Sequence, residues 1–303
     1  MKLIHFSEIK KIDKEIVLGI GKFDGVHSGH KKILSIVLAE AKKEGRVAGI
    51  ITFRKFPVEF LLCSWKEKLS LLKETGIELC VWCDFDDISH LSPEKFLETL
   101  LEAGAKTIVV GYNFRFGKGR KGDVKLLRKQ SKERDFSLIV VPSYKKNGEI
   151  VSASKIRKMI KNGDIEKANK LLGRYFSVSG KVVKGKGIGK KMGFPTANLA
   201  LENNICIGQG VYAGWVEHKR KIYKSAIVIG KSPTFNNDVN KFEVFIIDYE
   251  GKKTLYNKKI RFFLYKKLRN QIKFQYLEVL KKQIEKDIRE IKIMLQKIPA
   301  PEL

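Results

Sequence analysis

Cysteine is scarce in this chain, and its four copies among 303 residues follow no framework spacing. A disulfide-stapled secreted module is therefore excluded, and reduced thiols in a cytoplasm are expected. Long apolar runs are missing too: none approaches the roughly 20 residues needed to span a bilayer, so no membrane partner is expected. The opening MKLIHFSEIKKID has neither a continuous apolar stretch nor a small-residue cleavage site, which argues against a secretory signal. We find no internal repeat and no low-complexity linker. Acidic residues are in deficit, 33 Asp+Glu against 61 Lys+Arg, for a formal net charge of +28. Such a surplus attracts polyanions. However, the lysines are spread along the chain at helical spacings, without an RNA-binding signature or a Cys/His finger. Nucleic acid is thus not the expected partner, and small anionic substrates such as nucleotides suit the same field.

What is present is enough apolar material, 43% of residues, for two folded cores. Residues 15–21, EIVLGIG, predict a buried strand. A glycine turn and a helix follow, with Ile33, Val37, Leu38 and Ala41 on one stripe and a stop at Gly45. Further strands are predicted at 47–53, 78–85, 106–114 and 136–144, alternating with helices near 65–75, 93–103 and 123–133. That alternation implies a doubly wound, parallel α/β sheet. After short helices at 153–161 and 164–172 the pattern changes to short strands and turns, the signature of an antiparallel barrel or sandwich. Leu277, Leu280, Ile284, Ile288, Ile291 and Leu295 then trace an amphipathic closing helix. We place the domains at 1–175 and 176–303.

The sharpest local signal is Gly21-Lys22-Phe23-Asp24-Gly25-Val26-His27-Ser28-Gly29-His30, between the first predicted strand and helix. Ligands of open α/β sheets bind at the carboxyl ends of the strands, and glycines let backbone N–H groups approach a phosphate. Ser28 is placed to cap the helix, whose N-terminus favours anions. His27 and His30 are three apart and can point at the same oxygens, which suits nucleotidyl transfer by alignment and charge stabilisation. The alternative is a pair of surface histidines in a turn. Residues 111–123, GYNFRFGKGRKGD, read as a flexible lid: Phe114 or Phe116 could stack on a ring and Arg115 could meet phosphate. Their GxGxxG lacks the acidic partner of a dinucleotide site, and a solvated basic loop is the other reading. Ser152-Ala-Ser154-Lys-Ile-Arg157 opens a helix, where hydroxyls cap or bind phosphate.

In the second half, residues 185–199, GKGIGKKMGFPTANL, are glycine-rich through Gly187 and Gly193 but lack a Walker GK[ST]. Their amides could form an anion-binding concavity. Thr196 and Asn198 alternate onto one side and could hold Mg²⁺ with ATP phosphates. Glu243 lies amid apolar neighbours in KFEVFIIDY, as a general base or as an exposed strand glutamate. Cys80 and Cys83 make a CxxC in a strand, where residues three apart face opposite ways, so a metal or redox role is not expected.

These motifs, in this order, resemble the prokaryotic bifunctional riboflavin kinase/FAD synthetase family. The marks are G-x-FDG-x-H-x-GH at 21–30, NFRFGKGR-x-GD at 113–123, S-x-S-x-IR at 152–157 and LLGR-Y at 171–175. GFPTANL at 193–199, GVYAG at 210–214, G-x-x-PTF at 230–235 and FEVFIID at 242–248 continue the series. The resemblance implies an N-terminal nucleotidyltransferase-type domain that adenylylates FMN. It also implies a C-terminal kinase domain, a six-stranded antiparallel barrel with a long helix, that phosphorylates riboflavin. Carried over by position, Gly21, Phe23, Asp24, His27 and His30 would serve ATP in the first domain, with Ser154 and Arg157 holding phosphates. Asn113, Phe114 and Arg115 would meet the flavin. In the kinase, Gly187, Gly193, Thr196 and Asn198 would hold ATP, Thr196 and Asn198 also Mg²⁺. Glu243 would deprotonate the 5′-hydroxyl, and Arg269 would sit in a flavin loop. ATP, riboflavin, FMN and FAD are the implied partners. Phe56 before Pro57, Val228, and Phe245 stand where the family commonly has His, Asn and His. Two rivals are a nucleotidyltransferase with another acceptor, and a basic protein that binds RNA or stores flavin.

Overall fold

A computed structural model describes residues 1–185, 187, 189, 192–201, 205–231, 240–249 and 255–302. Packing divides the chain into two units, Met1–Ala153 and Ser154–Leu303.

The first unit is a six-stranded sheet in the order β1-β4-β3-β2-β5-β8. Its strands are β1 (Lys2–His5), β2 (Ile16–Ile20), β3 (Val47–Phe53), β4 (Leu79–Cys83), β5 (Ala105–Gly111) and β8 (Ser137–Val141). All neighbours are parallel. The connecting helices are α1 (Ser28–Glu44), α2 (Trp65–Glu74), α3 (Phe85–Ile88), α4 (Pro93–Glu102) and α5 (Val124–Glu133). Residues 16–20 are buried throughout, as expected of a strand covered on both faces. Leu34, Val37 and Ala41 are the buried residues of α1, while Ile33 and Leu38 lie partly covered beside them. Full burial of a Leu or Val contributes about 1.5–3 kcal/mol, so this stripe is what fastens α1 to the sheet. Cys80 and Cys83 belong to different core clusters, on the two faces of the sheet. Strand β1, too short to carry a sequence signal, extends the sheet beyond β4.

Two antiparallel ribbons complete this unit: β6 (Arg115–Phe116) with β7 (Gly122–Asp123), and β9 (Lys145–Lys146) with β10 (Glu149–Ile150). The first is the form taken by the segment expected to be a lid. The turn that joins its two strands is pinned by the Lys118 N–H, which donates to the Leu91 carbonyl at 2.6 Å, and Phe116 is buried against Phe96.

The second unit opens with α6 (Ala153–Asn162, its first residue at the division) and α7 (Ile165–Leu172). A closed barrel follows, in the order β11-β12-β15-β14-β13-β16. Its strands are β11 (Phe176–Val183), β12 (Ala197–Leu201), β13 (Gly210–His218), β14 (Lys221–Lys231), β15 (Asn240–Ile246) and β16 (Lys259–Arg269), all pairs antiparallel. Closure removes the exposed edges that an open sheet would present. The terminal helix Leu277–Gln296 lies on the outside, with Ile291 and Leu295 packed on Ala213, Trp215, Ala226 and Phe263. The anticipated stripe docks by this C-terminal end, since Leu277 at its start is 62% exposed.

Candidate functional site

In the first unit, β2 is the strand from which the chain runs one way to β3 and β4 and the other way to β5 and β8. Its carboxyl end is thus a topological switch point, where an open α/β sheet leaves a crevice. The turn at 21–27 sits there. Phe23 and Val26 hold left-handed backbone at φ 44 and φ 38, flanking Gly25 at φ 74. For a β-branched residue such as Val26 this is a strained geometry, and it persists only where the surroundings dictate it. Those surroundings are visible. Phe23 and Val26 are fully buried. Asp24, only 2% exposed, accepts the Leu62 amide through Oδ1 at 2.9 Å. Its carboxylate therefore braces the turn from within.

His27, rather than Ser28, caps α1: its Nδ1 accepts the His30 N–H at 3.2 Å, and Ser28 is the first helical residue. While that bond is made, Nδ1 carries no proton and Nε2 is the donor of the ring. The two imidazoles stack, with centroids 3.5 Å apart and planes 15° apart. Phe23 meets His30 edge-on at 5.3 Å. The histidines are thus brought together as a pair at a helix N-terminus. Lys22 lies over the Phe56 ring at 3.7 Å, and Phe56 is held by Phe53 and Phe85. Beside the turn, past β5, Asn113 Oδ1 lies 3.7 Å from where a side chain on Gly111 would begin. Phe114 stacks on Phe116 and packs against the core, and the exposed Arg115 approaches Asp123 at 3.6 Å. Ser154 and Arg157 stand on α6, which belongs to the second unit.

Sequence reasoning missed Lys68 in this unit. It is buried on α2, and its ammonium donates to the carbonyls of Lys22 at 3.0 Å and Phe53 at 2.8 Å. Burial pushes its pKa below the usual lysine value. Nothing in WKEKLSLLKE set this lysine apart, because burial of α2's face is decided by tertiary packing.

In the second unit, Asn198 on β12 pairs directly with Glu243 on β15, and Glu243 with Val228 on β14. Side chains opposite one another share a face and lie about 5 Å apart at Cβ. Ala226 and Phe245, two residues away on the same strands, pack with the terminal helix, so this is the outer face. Phe194 meets Phe245 edge-on at 5.8 Å and tethers the segment that carries Thr196. One Glu243 oxygen is ion-paired with Lys241. Asn198 Oδ1 is buried without a hydrogen-bond partner among the described residues. A Cβ on Gly185 would sit 2.0 Å from Asn198 Nδ2, so a larger residue there would push this amide out of its present place. Among the described residues nothing lies within 4 Å of a Cβ built on Gly187 or Gly193. The PTF at 233–235 lies outside the described residues. Arg269 makes a two-pronged pair with Asp287 of the terminal helix, with Nε–Oδ1 3.0 Å and Nη2–Oδ2 2.7 Å. It fastens that helix to the end of β16, a bracing task that the flavin-loop expectation had not included.

Both halves of the chain match known sequence families: FAD synthetase over residues 9–155 and riboflavin kinase over residues 172–295. A bifunctional riboflavin kinase/FMN adenylyltransferase of Buchnera aphidicola subsp. Schizaphis graminum (strain Sg) is 36% identical over 96% of this chain and 98% of its own. The chain belongs to the bifunctional riboflavin kinase/FMN adenylyltransferase family. The Escherichia coli (strain K12) enzyme of that description is 34% identical over 95% of this chain and 96% of its own. A crystal structure of a Streptococcus pneumoniae protein described as a macrolide-efflux protein superposes with a TM-score of 0.87 at 28% identity, covering 96% of this chain and 99% of that one. Among the described residues no helix is long and apolar enough to cross a membrane.

Proposed function

We propose that the chain makes FAD from riboflavin in two ATP-dependent steps, one in each unit. The observation that carries this is a separate polar cluster in each: a stacked histidine pair at the switch point of the sheet, and Asn198 facing Glu243 on the barrel. Membership of the family supports both steps.

In the kinase step the riboflavin 5′-hydroxyl attacks the γ-phosphorus of ATP. Its proton passes to the Glu243 oxygen that Lys241 does not hold, a new O–P bond forms, and ADP leaves. The unpartnered Asn198 Oδ1 beside Thr196 fits a hard cation bound jointly with ATP phosphates. Mg²⁺ held there would neutralise charge on the transferring phosphoryl group. In the adenylylation step the FMN phosphate attacks the α-phosphorus of a second ATP and pyrophosphate leaves. His27 Nε2 and His30, with the first amides of α1, stabilise the charge that develops on the phosphates. Asn113 and Phe114 border the flavin, and Asp24 keeps the turn in shape.

Assaying Glu243→Gln and His30→Ala separately tests the assignment. The first is expected to abolish FMN formation and leave FMN-to-FAD conversion intact, and the second the reverse. Loss of both activities from either change in a folded protein is incompatible with the proposal.

A further inference from the structure

The turn at 21–27 is held from below by a cation whose hydrogen bonds go to main-chain carbonyls. Lys22 is the last residue before the strained pair of left-handed residues, and its carbonyl accepts two buried donors. The Thr52 hydroxyl donates at 2.8 Å and the Lys68 ammonium at 3.0 Å. The same ammonium donates to Phe53 O at 2.8 Å, at the end of β3. Thr52 is fully buried and Lys68 is 2% exposed. Burying an ammonium is costly, and these carbonyls offset only part of that cost, so a hydrophobic side chain would stabilise the core more readily. What the lysine supplies is a link between two chain ends that apolar packing cannot make. The carbonyl of residue 22 lies in the turn two residues past the end of β2, that of residue 53 ends the neighbouring parallel strand β3, and without a donor between them they would repel.

We propose that Lys68, seconded by Thr52, is a positioning residue of the adenylylation site: it ties the Lys22 carbonyl to the end of β3 and so fixes the turn that presents His27 and His30 to the triphosphate of ATP. The inference rests on that reading of the turn. Facing the ammonium are Asp24 on the turn, Cys63 ahead of α2, Cys80 and Cys83 on β4, and the Trp65 ring at 5.7 Å. The other anchors act further along the turn, at Phe23 and Asp24. Removing the clamp therefore displaces the turn at its entry and leaves the histidines present but misaimed. Displacements on the ångström scale cost rate rather than binding.

The test uses the full chain, with riboflavin kinase activity as internal control. Lys68→Met keeps the shape and removes the donors. FMN adenylylation is expected to lose about 10- to 100-fold in kcat. KM for FMN and ATP should stay within roughly twofold, with the kinase activity and near-ultraviolet dichroism unchanged. A plain structural brace would instead lower the melting temperature and leave kcat of the folded enzyme intact, and that result overturns the inference. Should Lys68→Met not fold, the near-isosteric Thr52→Val decides by the same criteria, with a smaller loss of kcat expected and an unchanged kcat overturning the inference. His30→Ala is assayed alongside. If it adenylylates FMN at the parent rate, the reading of the turn falls and the inference falls with it. If it is inactive while Lys68→Met and Thr52→Val both turn over normally, the inference alone fails.

Discussion

Lys68 illustrates how a single side chain couples burial to ionisation. Desolvation lowers its pKa in the folded chain. Between that lowered value and the ordinary lysine value, the unfolded chain holds a proton that the folded chain does not. Stability of the first unit should therefore rise with pH across that window. Chemical denaturation at a series of alkaline pH values, with Lys68→Met as the reference, checks the sign: the increment should vanish in the variant. Cysteine reactivity is a second expectation at this scale. Cys63, Cys80 and Cys83 are buried, and burial pushes the Cys80 and Cys83 thiols up to about 12, whereas Cys206 is part-exposed. Brief alkylation of the native protein should label Cys206 and spare the other three until the chain is denatured, as intact mass spectrometry would show.

At the level of elements, close approach between strands sets the tolerances. Strand β13 runs against β16 so tightly at Gly214 that a Cβ there would lie 2.0 Å from the Phe263 carbonyl, a main-chain atom that cannot turn aside. Gly214→Ala should cost the barrel about 1–3 kcal/mol, read by thermal melting and by kinase inactivation. The pair that ties β16 to the terminal helix is more sensitive still. Arg269 and Asp287 side chains are 19% and 6% exposed. Asp287→Ala strands a guanidinium and should cost about 3–5 kcal/mol, measured by denaturation of the second unit. Much of this level was legible beforehand. The strands at 47–53 and 106–114, the Gly45 stop and the helix near 93–103 follow from period, propensity and capping, which are local. Strand β1 was not legible, because four residues carry no periodicity and their pairing with β4 is a long-range choice. Nor was the capping role of His27, which an imidazole takes only once the turn is folded.

For the whole molecule, the net charge of +28 sets the field that a nucleotide meets. Raising monovalent salt from about 50 mM to about 500 mM shortens the Debye length and should raise KM for ATP in both reactions, with kcat less affected. Steady-state assays of each activity across that range decide it. The α/β class of the first half, the short antiparallel strands of the second, and the choice of the histidine turn and of Glu243 as candidates came from sequence, because each rests on residues near one another in the chain, whereas closure of those strands into a barrel is a property of the tertiary structure. Tertiary structure alone decided that Asn198 faces Glu243 across two strands, that Asp24 turns inward, that Arg269 grips Asp287, and that a lysine from α2 closes the turn from beneath. The reason is physical: partners and burial at long sequence separation are set by how elements pack, and no local spacing records that.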